Sequence, residues 1–480
     1  MNTFTLIWIA FPLFVGFSIY LLPKLDRALA ITVSLISLVY GLWHVLNPAS
    51  VSLQLLDSFG VSLFIDGLSG FFILTNAVVT TAVILYCWQS EKGAFFYTQA
   101  LILHGSVNAV FVSADLISVY VALEVIGIAA FLLISYPRTD RSIWVGLRYL
   151  FVSNTAMLFY LLGAVLVYQS TNSFAFGGLA KAPTEAIALI FIGLLTKGGI
   201  FVSGLWLPLT HSESESPISA LLSGVVVKTG VFPLVRFALI VPDIDPIVRI
   251  FGVSTALLGV SYAVFSQDTK RILAFHTVSQ LGFILAAPAV GGFYALTHGL
   301  VKSALFLISG NLSSRDIKVL KQNPMPTSIW VTLAIASFSI SGFPLLAGFG
   351  AKVLTSKNLV PWQVIGMNIA ALGTAISFAK FIFLPHAHNS ELPTDTVKPG
   401  YWPALVLLLG GLVLANGLYY EAYSLNNVVK PLATIAAGWL AYLLIFQKLS
   451  VKLPRLAEQF DHLIGAMSLM LTLLFWMVFA

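Results

Sequence analysis

The sequence predicts an all-α, polytopic membrane protein. Three observations carry this: 58% of the 480 residues are hydrophobic, only 9% are charged, and apolar runs of membrane-crossing length recur along the whole chain. Soluble domains carry about 25% charged residues, so this composition cannot cover a globule in water, and lipid must be the solvent. A helix needs roughly 20 apolar residues to cross a ~30 Å hydrocarbon core. Sixteen runs answer to that length. They lie near 4–22, 28–46, 68–88, 95–113, 115–135, 149–169, 184–205, 217–240, 246–264, 271–289, 292–312, 328–354, 358–384, 402–420, 431–447 and 463–479. The first lacks a basic flank and an A-x-A-like cleavage site, so it reads as a retained helix. The stretch KLSVKLPRLAEQFDH between the last two runs mixes Lys452, Arg455, Glu458 and Asp461 with Leu453, Leu456 and Phe460, and reads as a short interfacial segment.

The Lys and Arg residues set the orientation, because cytoplasmic loops hold the excess. Loops after odd-numbered runs carry fifteen of them and loops after even-numbered runs carry three, Lys181, Lys357 and Lys430. That split predicts a multi-pass protein of the cell (inner) membrane with its N-terminus outside the cytoplasm. The +6 net charge is spread over these short loops instead of one basic face, which argues against nucleic acid as a partner. The single cysteine, Cys87, excludes a disulfide framework and any thiolate-held zinc or iron–sulfur site made by this chain alone. There is no phosphate loop, dinucleotide fingerprint or metal-ligand cluster, so neither a cofactor nor a metal is expected. Ser212, Ser214 and Ser216 alternate with Glu213 and Glu215 without a nucleophile elbow, and the segment reads as a cytoplasmic turn.

Seven cations fall within or at the ends of runs: Lys197, Lys228, Arg236, Arg249, Lys302, Lys352 and Lys380. A Lys at mid-membrane costs about 2.5 to 3.5 kcal/mol even on the mild insertion scale. Counting ~1.5 Å per residue places Glu124, Lys197, Lys228 and Lys302 roughly 14 to 20 Å deep, too far for a lysine stem to snorkel back to water. Lys380 and Arg249 lie nearer run ends, where snorkelling is an equal alternative. An ion pair between Glu124 and Lys197 is a further structural alternative. His276 with Gln280, and His298 with Lys302, share helical faces at i,i+4. Histidine changes charge near neutral pH and can relay protons between such sites. A lone His such as His104 or His276 is more often a hydrogen-bonded core residue, so the weight rests on the row and not on any one member.

Lys197 is followed at once by Gly198 and Gly199, and Lys352 follows Pro344, Gly348 and Gly350. Gly and Pro interrupting corresponding segments of two halves point to inverted repeats with sites at the breaks.

These residues resemble a known pattern across the fourth to thirteenth runs, about three hundred residues. SADLISVYVALEVIGIAAFLLISY, with Asp115 opening the helix and Glu124 within it, is similar to the fifth helix of the proton-translocating antiporter family shared by complex I, Mrp cation/proton antiporters and membrane-bound hydrogenases. TKGGIFVSGLWLPLTHSESESPISALLSGVVVKTGVFPLVRF resembles that family's broken seventh helix and eighth helix, carrying Lys197, His211 and Lys228. DTKRILAFHTVSQLGF and THGLVKSALFLISG look like its tenth and eleventh helices, with His276, Gln280, His298 and Lys302. SGFPLLAGFGAKVLT looks like its broken twelfth helix, ending on Lys352. Leu209 and Glu215 stand where the family has an Asp and a Pro.

The resemblance implies a 14-helix antiporter-like core with broken helices 7 and 12 and two inverted five-helix repeats. Residues 1–94 would form three leading helices, 95–240 and 246–384 the repeats, and 402–480 the C-terminal helices. It further implies a proton pathway through Glu124, Lys197, Lys228, His276, His298, Lys302 and Lys352, supported by Asp115, His211, Gln280 and Lys380. The function it implies is proton translocation in a multi-subunit Na⁺ or K⁺/proton antiporter, as the Mrp D-type component, with other membrane subunits as partners. The alternative is a pumping arm of an NADH or plastoquinone oxidoreductase or a membrane-bound hydrogenase, with no catalytic centre in this chain. An inert scaffold and an independent solute carrier are the remaining readings.

Overall fold

In the computed structural model, which describes residues 2–47, 49–56, 60–387, 397–449, 451, 453–454 and 458–479, every one of the sixteen runs coincides with a helix or a helix pair. The N-terminal module is α1 (Asn2–Ser18), α2 (Asp26–Leu46) and α3 (Gly67–Cys87), followed by α4 (Ala94–Val112), α5 (Leu116–Ile134) and α6 (Asp140–Thr171). The seventh run is α7 (Thr184–Gly198) with α8 (Leu207–Glu213), and the eighth is α9 (Ser216–Leu221) with α10 (Lys228–Ile240). Then come α11 (Asp245–Phe265), α12 (Thr269–Ala286), α13 (Gly291–Ser309) and a short α14 (Ile317–Gln322). The twelfth run is α15 (Thr327–Ser341) with α16 (Ala347–Lys357), and α17 (Gln363–Ile382), α18 (Tyr401–Asn416), α19 (Leu425–Ala441) and α20 (Phe460–Phe479) complete the chain.

Among the described residues, eleven helices are long and apolar enough to cross a membrane, and a twelfth span results if the pair bent by 42° at Gly198–Val202 is joined. Three more apolar helices are shorter, and α12, which carries Lys270, Arg271, His276 and Gln280, is not among the eleven. Sixteen crossings therefore stay a count from sequence. Polarity here marks position: α12 and α13 are buried along their whole length, while Leu440 at the end of α19 and Leu444 and Ile445 just after it are exposed. Around this centre, α3 packs on α2, α4, α13 and α18, while α11 packs on α12 and α17.

Three local features depart from the sequence reading. A hairpin of β1 (Val51–Gln54) and β2 (Ser62–Ile65) interrupts the all-α pattern before α3. The helix α6 begins at Asp140, nine residues before the apolar run, because Thr139 and Ser142 form a reciprocal capping box at 3.1 Å each way. Its charged first turns hid it, so Arg141 and Arg148 lie on a helix and not in a loop. Finally, Glu458 is buried and not interfacial. Its carboxylate accepts twice from Arg271 at 2.5 and 2.6 Å, and the Arg148 guanidinium donates to its backbone carbonyl. Lys452, Arg455 and Leu456 of the same segment lie outside the described residues.

This clamp seats α20 against α7 and the turn Val202–Gly204, tying the C-terminus to the first broken helix. Breaking a buried pair leaves an uncompensated charge, at a cost of about 3 to 5 kcal/mol. Glu458→Ala is therefore expected to lower the thermal unfolding temperature of the purified protein clearly, and an unchanged melting curve would refute the clamp.

A second ion pair joins the N-terminal module to the centre. Asp66 caps α3 by accepting from Ser69 N at 3.0 Å and binds Arg236 of α10 bidentately at 2.6 and 2.8 Å. Burial alone would raise the Asp66 carboxyl, but the two guanidinium bonds hold it below the usual carboxylate range. A depressed folded value means that this stability is present above about pH 4 and is lost as pH falls through the folded value. Asp66→Asn should flatten the acid limb of a stability-versus-pH curve below about pH 4; an unaltered acid limb would contradict it.

His104 is a satisfied core residue, as a lone histidine more often is. Its ring nitrogens meet Ser37 Oγ at 2.9 Å and Thr80 Oγ1 at 3.2 Å, within a ring of side chains that Asn76 and Asn108 close at 2.8 Å.

Candidate functional site

The two helix breaks position the first and last members of the row. At the end of α7, Gly199 adopts a left-handed φ of +71°, and a Cβ there would lie 2.6 Å from Leu207 Cδ1, so only glycine fits the turn. The break leaves Lys197 in the last helical turn, 2% exposed, with its ammonium donating to Leu123 O at 3.0 Å and Ser153 Oγ at 2.5 Å. It also lies 5.8 Å from the Tyr149 ring centroid. Across the chain, Gly342 repeats the device with a φ of +87° between α15 and α16, and the Lys352 stem packs over it. The Lys352 ammonium donates to Ser341 O at 3.1 Å, a carbonyl left free at the broken helix end.

Glu124 lies one turn before Gly127 on α5, partly exposed. Its charge acts on Lys197, yet no contact ion pair forms, because the ammonium is turned to the Leu123 carbonyl and Ser153. Gly127 makes that position possible, since a Cβ on it would lie 3.2 Å from the Lys197 nitrogen.

Lys228 and Lys302 form the middle. Both are fully buried. Lys228 follows a π-helical turn, Leu222–Val226, in which Val227 N bonds Leu222 O at 3.1 Å. The widened turn offers its carbonyls inward, and the Lys228 ammonium takes Gly224 O at 2.6 Å and Ser223 O at 3.3 Å. Nothing in the sequence LSGVV announces this turn. Lys302 on α13 donates to Leu273 O of α12 and lies 5.1 Å from the Phe306 ring centroid. Between them, Ser223 and Thr277 share a hydrogen bond of 2.7 Å, and Gly299 brings α13 within 3.6 Å of the Lys228 nitrogen, measured from the Cβ that it lacks. Among the described residues no carboxylate comes within ion-pair distance of Lys197, Lys228, Lys302 or Lys352.

His298 lies one turn from Lys302 and lines a cavity of about 10 Å³ with Gln280, Tyr294, Thr297 and Lys352. That is about the room of one water. Gln280 accepts from Tyr294 Oη at 2.6 Å. His276 is wholly buried with its ring 4.7 Å from Phe378. Neither ring nitrogen of His276 or His298 has a hydrogen-bond partner among the described residues. Buried polar groups without partners are rare, so these two imidazoles are set apart from His104. The charges of Lys228 and Lys302 act on His298, and those of Lys302 and Lys352 on His276, which links the part of the row from Lys228 to Lys352.

Three supporting residues stand elsewhere. Asp115 is buried as the cap of α5, accepting from Ser118 N at 2.7 Å and Ser62 N at 2.8 Å, and so anchors β2. Lys380 does not snorkel: it is 2% exposed and donates to Val264 O and Ser266 O at 2.6 Å each, closing the C-terminus of α11. Arg249 likewise turns inward, pairing with Asp245 at 2.7 Å and with Ala286 O at 3.0 Å. His211 is buried 6.1 Å from Phe306, on the Lys302 side of the row. Glu213 and Glu215 of the serine-rich turn pair with Arg141 at 3.2 Å and Lys92 at 2.5 Å, so the turn is held by this chain itself.

The chain as a whole is similar to known proteins. Residues 113–377, more than half of the chain, match the family model described as NADH:quinone oxidoreductase/Mrp antiporter, transmembrane. The chain is similar to NADH-quinone oxidoreductase subunit N of Desulforudis audaxviator, 30% identical over 77% of this chain and 84% of the relative. It is also similar to the D component of the Na(+)/H(+) antiporter of Alkalihalophilus pseudofirmus, 28% identical over 61% of this chain and 66% of the relative. Its fold is shared with a chain of the Mrp complex from Dietzia sp. DQ12-45-1b, with a TM-score of 0.73, 20% identity, and coverage of 95% of this chain and 98% of that one. Half of the chain under one family model and a relative matched over most of its length leave one assignment: the protein is an antiporter-like membrane subunit and belongs to the NADH:quinone oxidoreductase/Mrp antiporter family.

Proposed function

We propose that this chain is the proton-translocating subunit of a multi-subunit antiporter exchanging protons for Na⁺ or K⁺. On this reading the N-terminus lies outside the cytoplasm, and residues 95–240 and 246–384 act as inverted repeats that each supply a half-channel. Protons pass from Glu124 and Lys197 along Lys228, His298, Lys302 and His276 to Lys352. The observation that carries the reading is the burial of Lys228 and Lys302 without, among the described residues, any carboxylate in contact. A fixed, unpaired charge in a low-dielectric interior costs several kcal/mol. Side chains able to gain and lose a proton make such positions tenable and useful.

The test is proton flux in vesicles holding the whole complex, driven by a Na⁺ or K⁺ gradient. Glu124→Gln removes the charge that acts on Lys197 and should reduce flux by about a hundredfold, the lower end of the range for a lost proton-transfer group. Undiminished flux would remove Glu124 from the pathway. Gly127→Val should act on the same step by displacing the Lys197 ammonium from Ser153, with a comparable loss of flux; a fully active variant would show that this position of Lys197 is dispensable.

The similarity to an oxidoreductase subunit N favours a second reading, in which redox chemistry in other subunits drives the same row. Co-purification with iron–sulfur subunits and quinone-dependent proton movement would support it. Cation-driven proton flux without a redox substrate would support the first.

A further inference from the structure

Away from the row, a cavity of about 270 Å³ opens where α14, the end of α17 and the π-helical turn Tyr442–Phe446 after α19 meet. Four lysines line it: Lys318, Lys321, Lys380 and Lys448. Among the described residues no carboxylate lines it, and none of the four lysines has an ion-pair partner. Lys380 is nearly fully buried, while Lys318 and Lys448 are exposed. Lys321 is steadied 5.5 Å from the Tyr442 ring centroid. The Lys380 ammonium is taken by Val264 O and Ser266 O, which leaves Lys318, Lys321 and Lys448, like charges around one hollow, to meet an anion.

The rest of the lining shows which anion. Phe446, Leu449 and Val451 form an apolar side, and Leu449 and Val451 are 42% and 44% exposed. Leu440 at the end of α19 and Leu444 and Ile445 of the π-helical turn are exposed apolar residues as well. A free phosphate would use the lysines and ignore this surface. A phospholipid uses both, with acyl chains along α19 and its phosphate among the ammonium groups. Basic hollows at the ends of membrane helices suit anionic headgroups for this reason.

We propose that this cavity is a binding site for the headgroup of an anionic phospholipid, held by Lys318, Lys321 and Lys448 over the buried Lys380. The site also adjoins the candidate pathway: on α17, Lys380 stands two residues after Phe378, whose ring packs 4.7 Å from His276. The binding claim stands whether or not the proposed transport does.

The experiment is lipid binding by the delipidated full-length chain, followed by native mass spectrometry with phosphatidylglycerol and phosphatidylcholine as probes. Phosphatidylglycerol should be retained preferentially. The triple variant Lys318→Gln/Lys321→Gln/Lys448→Gln should hold it on the order of a hundredfold more weakly, from about 1 kcal/mol per lysine. Inorganic phosphate in millimolar excess should not displace the lipid. Equal retention of both lipids, or a triple variant that binds like the parent, would overturn the site. Displacement by inorganic phosphate would overturn the lipid assignment in favour of a soluble anion.

Discussion

Lys228→Gln is expected to abolish proton flux, by about a hundredfold or more on the scale of lost proton-transfer groups, while leaving the protein folded. The two properties separate because Lys228 does two things. Its ammonium satisfies Gly224 O and Ser223 O in the π-helical turn, and leaving a buried carbonyl bare costs about 1 to 3 kcal/mol. Glutamine keeps an N–H donor for those carbonyls but has no proton to exchange. Lys228→Ala removes both, so it should lose flux and stability together. The check is flux in reconstituted vesicles beside a melting curve for each variant. If Lys228→Gln transports normally, the residue is structural, and the burial of an unpaired lysine no longer argues for a relay.

This division of roles also explains which parts were legible in the sequence. Most of the spans are long and apolar, so the sixteen runs could be read directly as helices and any cation inside one stood out, although α12, with Lys270, Arg271, His276 and Gln280, does not count as a crossing by length and composition. Lys197 beside Gly198 and Gly199, and Lys352 after Pro344, carried their breaks in composition. The π-helical turn did not, because Leu222–Val226, LSGVV, has no proline or paired glycine and only the hydrogen-bond register differs. Glu458 was equally hidden: its partner Arg271 is 187 residues away, and a charged segment beside a helix end looks interfacial until the fold brings the two together. Lys380 shows the converse limit. Its place near a run end allowed either direction, and what decided was the set of free carbonyls at the end of α11, a tertiary fact. Histidines gave the least in advance. His104 and His298 both lie in apolar helices, and only the ring of hydroxyls and amides around the first distinguishes it from the unpartnered second.

Whether the row works as one path is decided by combining variants. Lys302→Gln alone should lower flux about as far as Lys228→Gln, since each lies in series between the two broken helices and His298 touches the fields of both. In a series path the second interruption has nothing left to stop, so Lys228→Gln/Lys302→Gln should lose no more than either single variant. Independent routes through the two halves would instead multiply, and the double variant would fall by the product of the single losses. Groups that act as a unit are strongly non-additive in this way, whereas distant independent sites add within a few tenths of a kcal/mol. Stability provides the control: the two lysines bond carbonyls on different helices, Gly224 before α10 and Leu273 on α12, so a melting curve for each variant shows whether its loss of flux comes with a loss of fold. Multiplicative flux losses would divide the row into two pathways, and full transport by the double variant would reduce the chain to a scaffold for its partners.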